Sequence, residues 1–287
     1  VTGVQTCALP ICDGTDSPSE LIANAISSGI NILALTDHDT VAGWEEAKES
    51  LMQHPKGETL KLVLGAEISC QDSTGTSIHM LGLLFDPTYQ PLAAELEKTR
   101  ENRLTRMERI IARLNDAGIE ITIEEVYAQK RGDATLGRPH LADALVARGH
   151  IANRDEAFTQ YLHNGSKFYL NHYSPSPTEA IRLIKAAGGV SVIAHPLASR
   201  SGRKLEPEIF AELIAAGLDG IEVHHRDNQE EEKGELIQLA RDSGLVITGS
   251  SDYHGTGKMN RLAEFTTDPE EWEELESRAQ VRRVISK

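Results

Sequence analysis

The chain has 287 residues, which is enough for one large domain or two small ones with a core that needs no disulfide. Its 29 basic and 44 acidic residues give a formal net charge of −15, and such a field repels polyanions over most of the surface. Duplex DNA binding is therefore not expected, and a phosphorylated ligand needs a local positive site. Eleven histidines in so acidic a chain are the first indication of a metal cluster.

Cysteine usage and hydropathy exclude two further classes of protein. Cys7, Cys12 and Cys70 are too few and too unevenly placed for a disulfide framework. The sequence contains no run of 18 apolar residues, the length needed to cross a membrane, and its first twelve residues do not have the pattern of a signal peptide. We therefore expect a cytoplasmic protein that does not contact a membrane.

From Pro18 onward, apolar runs alternate with amphipathic stretches, which is typical of β/α units around a mostly parallel sheet. Six runs predict strands: 31–36, 61–66, 78–85, 190–194, 220–223 and 245–248. Helices are predicted over 17–28, 177–187, 207–216 and 229–242, and an acidic one over 269–276. The pattern therefore predicts an α/β fold.

Residues 88–174 break this alternation because they contain no convincing strand. Six apolar residues fall on one helical face: Leu92, Leu96, Met107, Ile110, Ile111 and Leu114. Further helices are predicted around 123–129, 141–147 and 155–162. We expect a helical subdomain inserted between a first part of the α/β body, 13–87, and a second part, 175–287.

Acidic and imidazole side chains follow the predicted strands where these end. Asp37-His38-Asp39 follows the first strand, Glu67 the second and His195 the fourth, while Asp252 and His254 follow the last. The carboxyl ends of parallel strands meet at one edge of the sheet, where α/β folds collect their sites. Asp252 and His254 are two residues apart, so in an extended segment their side chains face the same way.

Each of these residues also has an ordinary explanation. Asp39 could cap a helix or orient its neighbour, and a histidine such as His79 on an apolar strand could belong to the core. A glutamate at the end of an apolar strand, such as Glu67, is costly to bury unless it is paired or metal-bound. Four such strand ends together favour a multinuclear metal site. Glu222 and His224 form a second-choice ligand pair, although 224–227 could equally be a polar loop facing substrate.

Five short motifs follow one another along the chain: Thr36-Asp37-His38-Asp39-Thr40, Gly65-Ala66-Glu67, His79-Met80-Leu81-Gly82, Ala194-His195-Pro196 and Ser251-Asp252-Tyr253-His254. A further one, Asp13-Gly14-Thr15-Asp16-Ser17-Pro18, precedes them. In order and spacing they resemble the motifs of the polymerase-and-histidinol-phosphatase (PHP) superfamily, over nearly the whole chain from Asp13. The resemblance implies a distorted seven-stranded β/α barrel with metals at its C-terminal rim.

The resemblance also implies a set of metal ligands: Asp13, His38, Glu67, His79, His195, Asp252 and His254. Among them, His38, His195 and Asp252 are expected to be catalytic. The set would hold two or three divalent ions, and its nitrogen and oxygen donors suit manganese, zinc or iron alike. Ions of this kind lower the pKa of a bound water toward about 7, and the hydroxide attacks phosphorus in line.

Within that superfamily, the inserted stretch with Gly137-Arg138-Pro139-His140 indicates the stand-alone phosphoesterases, which include nucleoside 3′,5′-bisphosphate phosphatases and a 5′-to-3′ exoribonuclease. The expected substrate is therefore a small nucleotide or a short RNA 5′-end. Histidinol-phosphate phosphatase is the alternative enzyme. A metal-deficient PHP module that works only by binding is the alternative outside the enzymes.

Arginines can supply the local positive charge that the chain as a whole lacks. Arg138 and His140 are expected to hold a second phosphate, since the guanidinium fork suits two oxygens at once. A surface ion pair is the other interpretation of Arg138. Arg226, His172 and Arg200 are weaker candidates for the same role. Four arginines of the first inserted helix are assigned to its solvated face: Arg100, Arg103, Arg106 and Arg109.

The start of the chain departs from the family pattern. The family opens with a strand carrying a His-x-His pair before the aspartate that matches Asp13, and this chain has Thr6 and Ala8 at those places. Residues 1–12 do not predict a first strand, and they resemble translated sequencing-adapter read-through. We expect them to be non-native, which would leave the chain without one edge of its metal cluster.

We expect the chain as written to bind fewer divalent ions than a version whose first twelve residues restore a strand with a His-x-His pair. Thr6 and Ala8 offer no imidazole, so the cluster would be short of two nitrogen ligands. Mass spectrometry of the two metal-loaded proteins counts the ions. An equal number in both would contradict the expectation.

Overall fold

The sheet follows the chain order. The computed structural model describes residues 4–5, 14–130, 135–198, 205–257 and 259–287. Six strands of at least four residues form one curled sheet, and a two-residue segment lies at its edge. The strands are β1 (Val4–Gln5), β2 (Ile32–Leu35), β3 (Lys61–Gln71), β4 (Ser77–Leu83), β5 (Val190–Ile193), β6 (Gly220–His224) and β7 (Val246–Gly249).

The expectation of no strand in residues 1–12 is wrong for two of them. Val4 and Gln5 pair in parallel with Ile32 and Leu33 of β2. Thr6, Ala8 and the predicted ligand Asp13 lie outside the described residues. Whether residues 1–12 are native stays a prediction.

One strand of the mostly parallel sheet is reversed. β4 runs antiparallel to both β3 and β5, while the other neighbouring strands pair in parallel. The connection from β3 to β4 is too short for a crossover, and it turns at Gly75, whose φ is +86°. The Asp72 carboxylate holds the turn by accepting from the N–H groups of Thr74 and Thr76, both at 2.8 Å. The beginning of β4 therefore lies at the edge where the parallel strands end.

The strands are buried on both faces, which explains their nearly continuous apolar sequences. Successive side chains alternate between two hydrophobic clusters: Leu33 and Leu35 belong to the larger one, and Ala34 to the smaller one. Trp272, 2% exposed, packs in the smaller cluster. His38, His195 and Asp252 lie just after strands, whereas Glu67 is a polar side chain buried within β3 itself.

In the part of the chain that the structure describes, ten α-helices connect and cover the strands: α1 (Pro18–Ser27), α2 (Trp44–Gln53), α3 (Gln90–Asp116), α4 (Ile123–Tyr127), α5 (Arg138–Ala147), α6 (Arg154–Ala157), α7 (Pro177–Ala186), α8 (Pro207–Ala216), α9 (Glu230–Ser243) and α10 (Pro269–Arg278). The capping signature before α1 is confirmed, because the Ser17 hydroxyl accepts from the Glu20 N–H and the Glu20 carboxylate accepts from the Ser17 N–H.

Between β4 and β5 the described residues contain helices and no strand, as expected. After α6 the chain continues in a π-helical turn, Phe158–Leu162. Apolar residues of this helical segment form a hydrophobic cluster of their own, with Ile110, Leu141 and Leu145 at its centre. Within the described ranges, even the 27-residue α3 does not combine the length and hydropathy needed to cross a membrane.

Candidate metal centre

Glu67, in the middle of β3, is the centre of a cluster of histidines. Its carboxylate is 1% exposed, and Oε1 lies 2.5 Å from His79 Nδ1 and 3.3 Å from His195 Nε2. Oε2 lies 4.0 Å from His38 Nδ1. Although burial raises the pKa of a carboxyl, the charges of His38 and His79 and the hydrogen bond with His195 hold the pKa of Glu67 well below its usual value. The carboxylate is therefore kept ionised among imidazoles.

Strand pairing brings these imidazoles together. His38 follows β2 and forms a parallel bridge with Glu67, and His79 pairs with Ser69 because β4 is reversed. His195 follows β5, where the Ala194 N–H donates to the His79 carbonyl at 3.0 Å. The ring centroids of His38 and His79 are 4.9 Å apart, and those of His79 and His195 5.1 Å apart.

Asp252 and His254, which follow β7, continue the cluster on its far side. His254 is buried, and its Nδ1 donates to the Asp252 carbonyl at 2.7 Å, which leaves Nε2 as the ring's donor atom for a metal. The Asp252 carboxylate lies 3.5 Å from His254 Nδ1 and 3.9 Å from His225 Nε2. The segment is not extended as the prediction assumed, because φ is +46° at Asp252, and joint metal binding by Asp252 and His254 stays a prediction.

His225, rather than His224, joins the site. The register of β6 against β7 is irregular between Glu222 and His224, so the simple alternation of side chains is broken there. His224 is exposed, whereas His225 is fully buried with its ring 5.2 Å from that of His195. The second-choice pairing of Glu222 with His224 is therefore wrong, and a one-residue irregularity of this kind leaves no clear sequence signal.

Three residues of the site have a left-handed backbone that side chains rarely adopt. The φ angles are +55° at Asp39, +31° at His195 and +46° at Asp252. Such a conformation costs about 1–3 kcal/mol and persists only where the surroundings enforce it. The Glu222 carboxylate accepts from the His195 N–H at 2.8 Å, and the Ser250 hydroxyl accepts from the Asp252 N–H at 3.1 Å.

Glu222 is buried, and only one of its two carboxyl oxygens accepts a hydrogen bond from the described residues. Among the described residues, Oε1 accepts no hydrogen bond, while Oε2 accepts from the His195 N–H. Burial raises the pKa of Glu222 to about 8. For His195, burial lowers the pKa, but the hydrogen bond and charge of Glu67 outweigh it and raise the pKa to about 9. The metal-free centre therefore takes up protons readily.

A cavity of about 230 Å³ opens over the cluster. His38, Glu67, His79, His195 and Asp252 line it together with Arg138 and Asn164 from the helical segment. The Arg138 guanidinium donates to the Leu162 carbonyl at 2.7 Å and to Asn164 Oδ1 at 2.9 Å, and it lies over the ring of Tyr169. These contacts hold Arg138 at the wall of the cavity, so the interpretation of Arg138 as a surface ion pair is wrong.

The other predicted phosphate ligands lie elsewhere. His140 is buried at the beginning of α5, where its Nδ1 accepts from the Gly137 N–H at 3.0 Å and caps the helix. Arg226 is partly exposed and lies 3.7 Å from the Glu264 carboxylate. Neither is among the described residues that line the cavity. Arg200 lies outside the described residues.

The prediction of a solvated face for the arginines of α3 is wrong for Arg103 and Arg106. Arg106 is 9% exposed, and its Nη1 lies 3.0 Å from His172 Nδ1. Arg103 Nε lies 2.9 Å from the Asp39 carboxylate. Arg109, by contrast, is exposed as expected. The spacing of Thr99, Arg103, Arg106 and Ile110 places all four on one helical face, and this spacing is the signal that could have found the buried arginines.

These two arginines and Arg138 form a strongly positive group around His172. Burial, followed by the charge of Arg138, lowers the pKa of Arg106 to about 9. Burial also lowers the pKa of His172 to about 2, with the charges of Arg103 and Arg106 adding to the effect. His172 is therefore neutral and accepts from Arg106. The Nε and Nη2 atoms of Arg106 are buried without a hydrogen-bond acceptor among the described residues.

The donor set of the cluster fits a divalent cation. Ligand atoms of His38, Glu67 and His79 all lie within 4.8 Å of one another. Two ligands bound at about 2.0–2.2 Å to one ion lie about 3–4 Å apart, which small side-chain movements would achieve here. Neighbouring imidazoles repel one another when they are protonated together. A bound cation would take the place of these protons. Mixed imidazole and carboxylate donors do not select one metal.

Comparisons with known proteins agree with this geometry. The family model of the PHP domain matches residues 6–132. A 5′-3′ exoribonuclease of Haemophilus influenzae is 35% identical over 86% of this chain and 88% of its own length. A 3′,5′-nucleoside bisphosphate phosphatase of Chromobacterium violaceum is 32% identical over 93% of both chains. The crystal structure of a candidate metal-dependent phosphoesterase from Bifidobacterium adolescentis covers 98% of both chains with 39% identity and a TM-score of 0.89.

The metal-free protein is expected to lose stability as the pH rises from about 6 to about 9. His195 has a folded pKa of about 9 against an ordinary value of 6.5, so the stability from its protonated form is complete below pH 6.5 and is lost as the pH passes 9. Glu222 has a folded pKa of about 8 against 4.5, so between these values the unfolded chain ionises while the folded protein stays protonated, and stability falls as the pH rises. The two effects have the same sign.

Urea unfolding with a chelator present, at several pH values, measures this slope. Glu222→Gln removes one of the two groups and should make the slope smaller. Glu212→Gln, an exposed substitution on α8, is the matched control and should keep the wild-type slope. A wild-type stability that is constant or increases between pH 6 and pH 9 would contradict the expectation.

Proposed function

The chain belongs to the PHP-domain family, and we propose that it is a metal-dependent phosphoesterase that hydrolyses a nucleoside 3′,5′-bisphosphate or the 5′-end of a short RNA. One observation carries the proposal. The ionised Glu67, its surrounding imidazoles and Arg138 line one cavity. A metal cluster and a cation that line the same cavity suit a substrate with two phosphates.

The ligands proposed for two or three divalent ions of manganese, zinc or iron are Asp13, His38, Glu67, His79, His195, Asp252 and His254. When bound, such ions act as Lewis acids on the phosphate oxygens and lower the pKa of a water. The ionised Glu67 supplies negative charge at the centre of the set, and the Glu222 carboxylate holds the backbone of His195. His38, His195 and Asp252 line the cavity and are proposed to be the catalytic residues.

Arg138 is proposed to bind the phosphate that is not cleaved. Its guanidinium lines the cavity, and the hydrogen bonds to Leu162 and Asn164 fix its direction. Neutral His172 and the unsatisfied N–H groups of Arg106 leave an excess of positive charge behind it. His140 and Arg226 remain proposals for the same role, although their contacts in the structure are to Gly137 and Glu264.

The remaining expectations about the chain are proposals too. We propose a distorted seven-stranded barrel, in which the complete first strand extends the pairing of Val4 and Gln5 with β2. Residues 88–174 would be an inserted subdomain, because their helices have a hydrophobic cluster of their own. A cytoplasmic location is expected for an enzyme that acts on small nucleotides or RNA ends.

His195→Ala and Asp252→Ala should each reduce phosphatase turnover at least about a hundredfold, because each removes a proposed metal ligand. The protein with a restored His-x-His strand, supplied with manganese and a nucleoside 3′,5′-bisphosphate, is the reference. Arg109→Ala, exposed on α3, is the control and should keep most of the turnover. Near wild-type turnover of both ligand variants would show that the cluster is in the wrong place.

Arg138→Ala should raise the KM for a nucleoside 3′,5′-bisphosphate, since losing one charge-assisted contact costs about 1.5–3 kcal/mol. It should leave the KM for an aryl monophosphate almost unchanged, because that substrate has no second phosphate. Steady-state kinetics on both substrates measure the difference. Equal loss on both would mean that Arg138 binds the reacting phosphate, and no effect on either would remove it from the substrate site.

A further inference from the structure

A buried ion pair joins the helical segment to the metal centre. Arg103, on α3, lies with Nε 2.9 Å from Oδ2 of Asp39, the residue directly after His38. The Asp39 side chain is fully buried and that of Arg103 is 14% exposed. A pair so shielded from water is costly to break, because the remaining charge stays buried without a partner.

The same guanidinium contacts both segments that carry the central ligands, the loop after β2 and the strand β3. The Asp39 carboxylate accepts from the N–H and the hydroxyl of Ser69, both at 2.8 Å, and Arg103 Nη2 donates to that same hydroxyl. Ser69 lies two residues after Glu67 on β3, and Asp39 follows His38 beyond β2. Arg103, Asp39 and Ser69 therefore form a bridge that sets the separation of His38 and Glu67. We call it the Arg103 bridge.

The backbone at Asp39 needs such a restraint. Its φ of +55° is unfavourable for a residue with a side chain, and its N–H donates to the Glu67 carbonyl at 3.0 Å. The capping explanation for Asp39 is wrong, because α2 begins at Trp44 with Gly43 as its cap. From the helical segment, Thr135 also donates to the His38 carbonyl at 2.7 Å. The loop that carries His38 is thus held from α3 and from the residues before α5.

We propose that Arg103 is a positioning residue for the metal ligands His38 and Glu67, and that the helical segment controls the affinity of the centre for metal through the Arg103 bridge. The inference rests on the proposed function, because it assumes that the cluster binds divalent ions. It assigns the helical segment a role beyond contact with substrate. Arg103 acts here through Asp39 and Ser69 rather than by touching the ions.

The test is calorimetric titration of the chelated wild-type chain and its variants with Mn²⁺ alone. Arg103→Met keeps the length of the side chain without its charge, and it should weaken Mn²⁺ binding at least about tenfold, the usual effect of losing a residue that orients metal ligands. Arg103→Lys keeps the charge but cannot bridge Asp39 and Ser69 with a planar fork. Its Mn²⁺ affinity should therefore lie between those of the wild type and Arg103→Met. Arg109→Met, exposed on the same helix, should bind as the wild type does.

A second control separates positioning from general stability. Leu145→Ala removes a fully buried side chain of the helical cluster that is remote from the Arg103 bridge. It should lower the urea midpoint of the metal-free protein without changing its affinity for Mn²⁺. If Leu145→Ala weakens Mn²⁺ binding as much as Arg103→Met at an equal loss of stability, Arg103 is only structural and the proposal is overturned.

Two other results would also overturn it. One is an Arg103→Met protein that is folded and binds Mn²⁺ like the wild type. If this variant does not fold, wild-type Mn²⁺ affinity in Arg103→Lys overturns the proposal in the same way. The other is unchanged Mn²⁺ affinity with a raised KM for the bisphosphate, which would make Arg103 a substrate ligand. If the wild-type chain itself binds no Mn²⁺, the proposed function fails and the inference with it, whereas normal wild-type binding confines the failure to Arg103.

Discussion

A carboxylate that is almost completely removed from water is the constraint on which this site depends. Glu67 lies in the middle of a strand that is buried on both faces, where an unpaired charge would be very costly. Histidines from three other strand ends compensate for it, and they reach it only if β2, β3, β4 and β5 pair in their observed register. The register of the sheet and the charge balance of the centre therefore depend on each other.

The helical segment adds charge of the opposite sign. In a chain with a net charge of −15, it places Arg103, Arg106 and Arg138 within range of one neutral histidine, His172. Asp39 compensates Arg103, while Arg138 lines the cavity and adds positive charge beside the metal centre. A phosphate group approaching the cavity meets a local field opposite to that of the protein surface, and such focusing allows an acidic protein to bind an anion.

Two arguments predicted the ligands from the sequence: the rule that strands of an α/β fold present their functional groups at their ends, and the resemblance to the PHP motifs, which supplied the full set. For His38, His195 and Asp252, the structure brings side chains that follow strands to one cavity, as this rule requires. Glu67 lines the same cavity from the middle of β3, which continues to Gln71 instead of ending at residue 66 as predicted. The rule says nothing of His79, which reaches the same edge at the beginning of its strand because β4 is reversed. A lone histidine on an apolar strand carries no local sign of that reversal.

Local sequence patterns determined the order of helices and strands, the capping of α1 and the side chains offered at the strand ends, because each depends on neighbours within a few residues. Other features depended on packing between segments far apart in the chain. An irregularity in the pairing of β6 with β7 buried His225 instead of His224, and the docking of α3 turned Arg103 and Arg106 inward. Burial and charge partners decide these outcomes, and both are properties of the folded chain rather than of any short stretch of it.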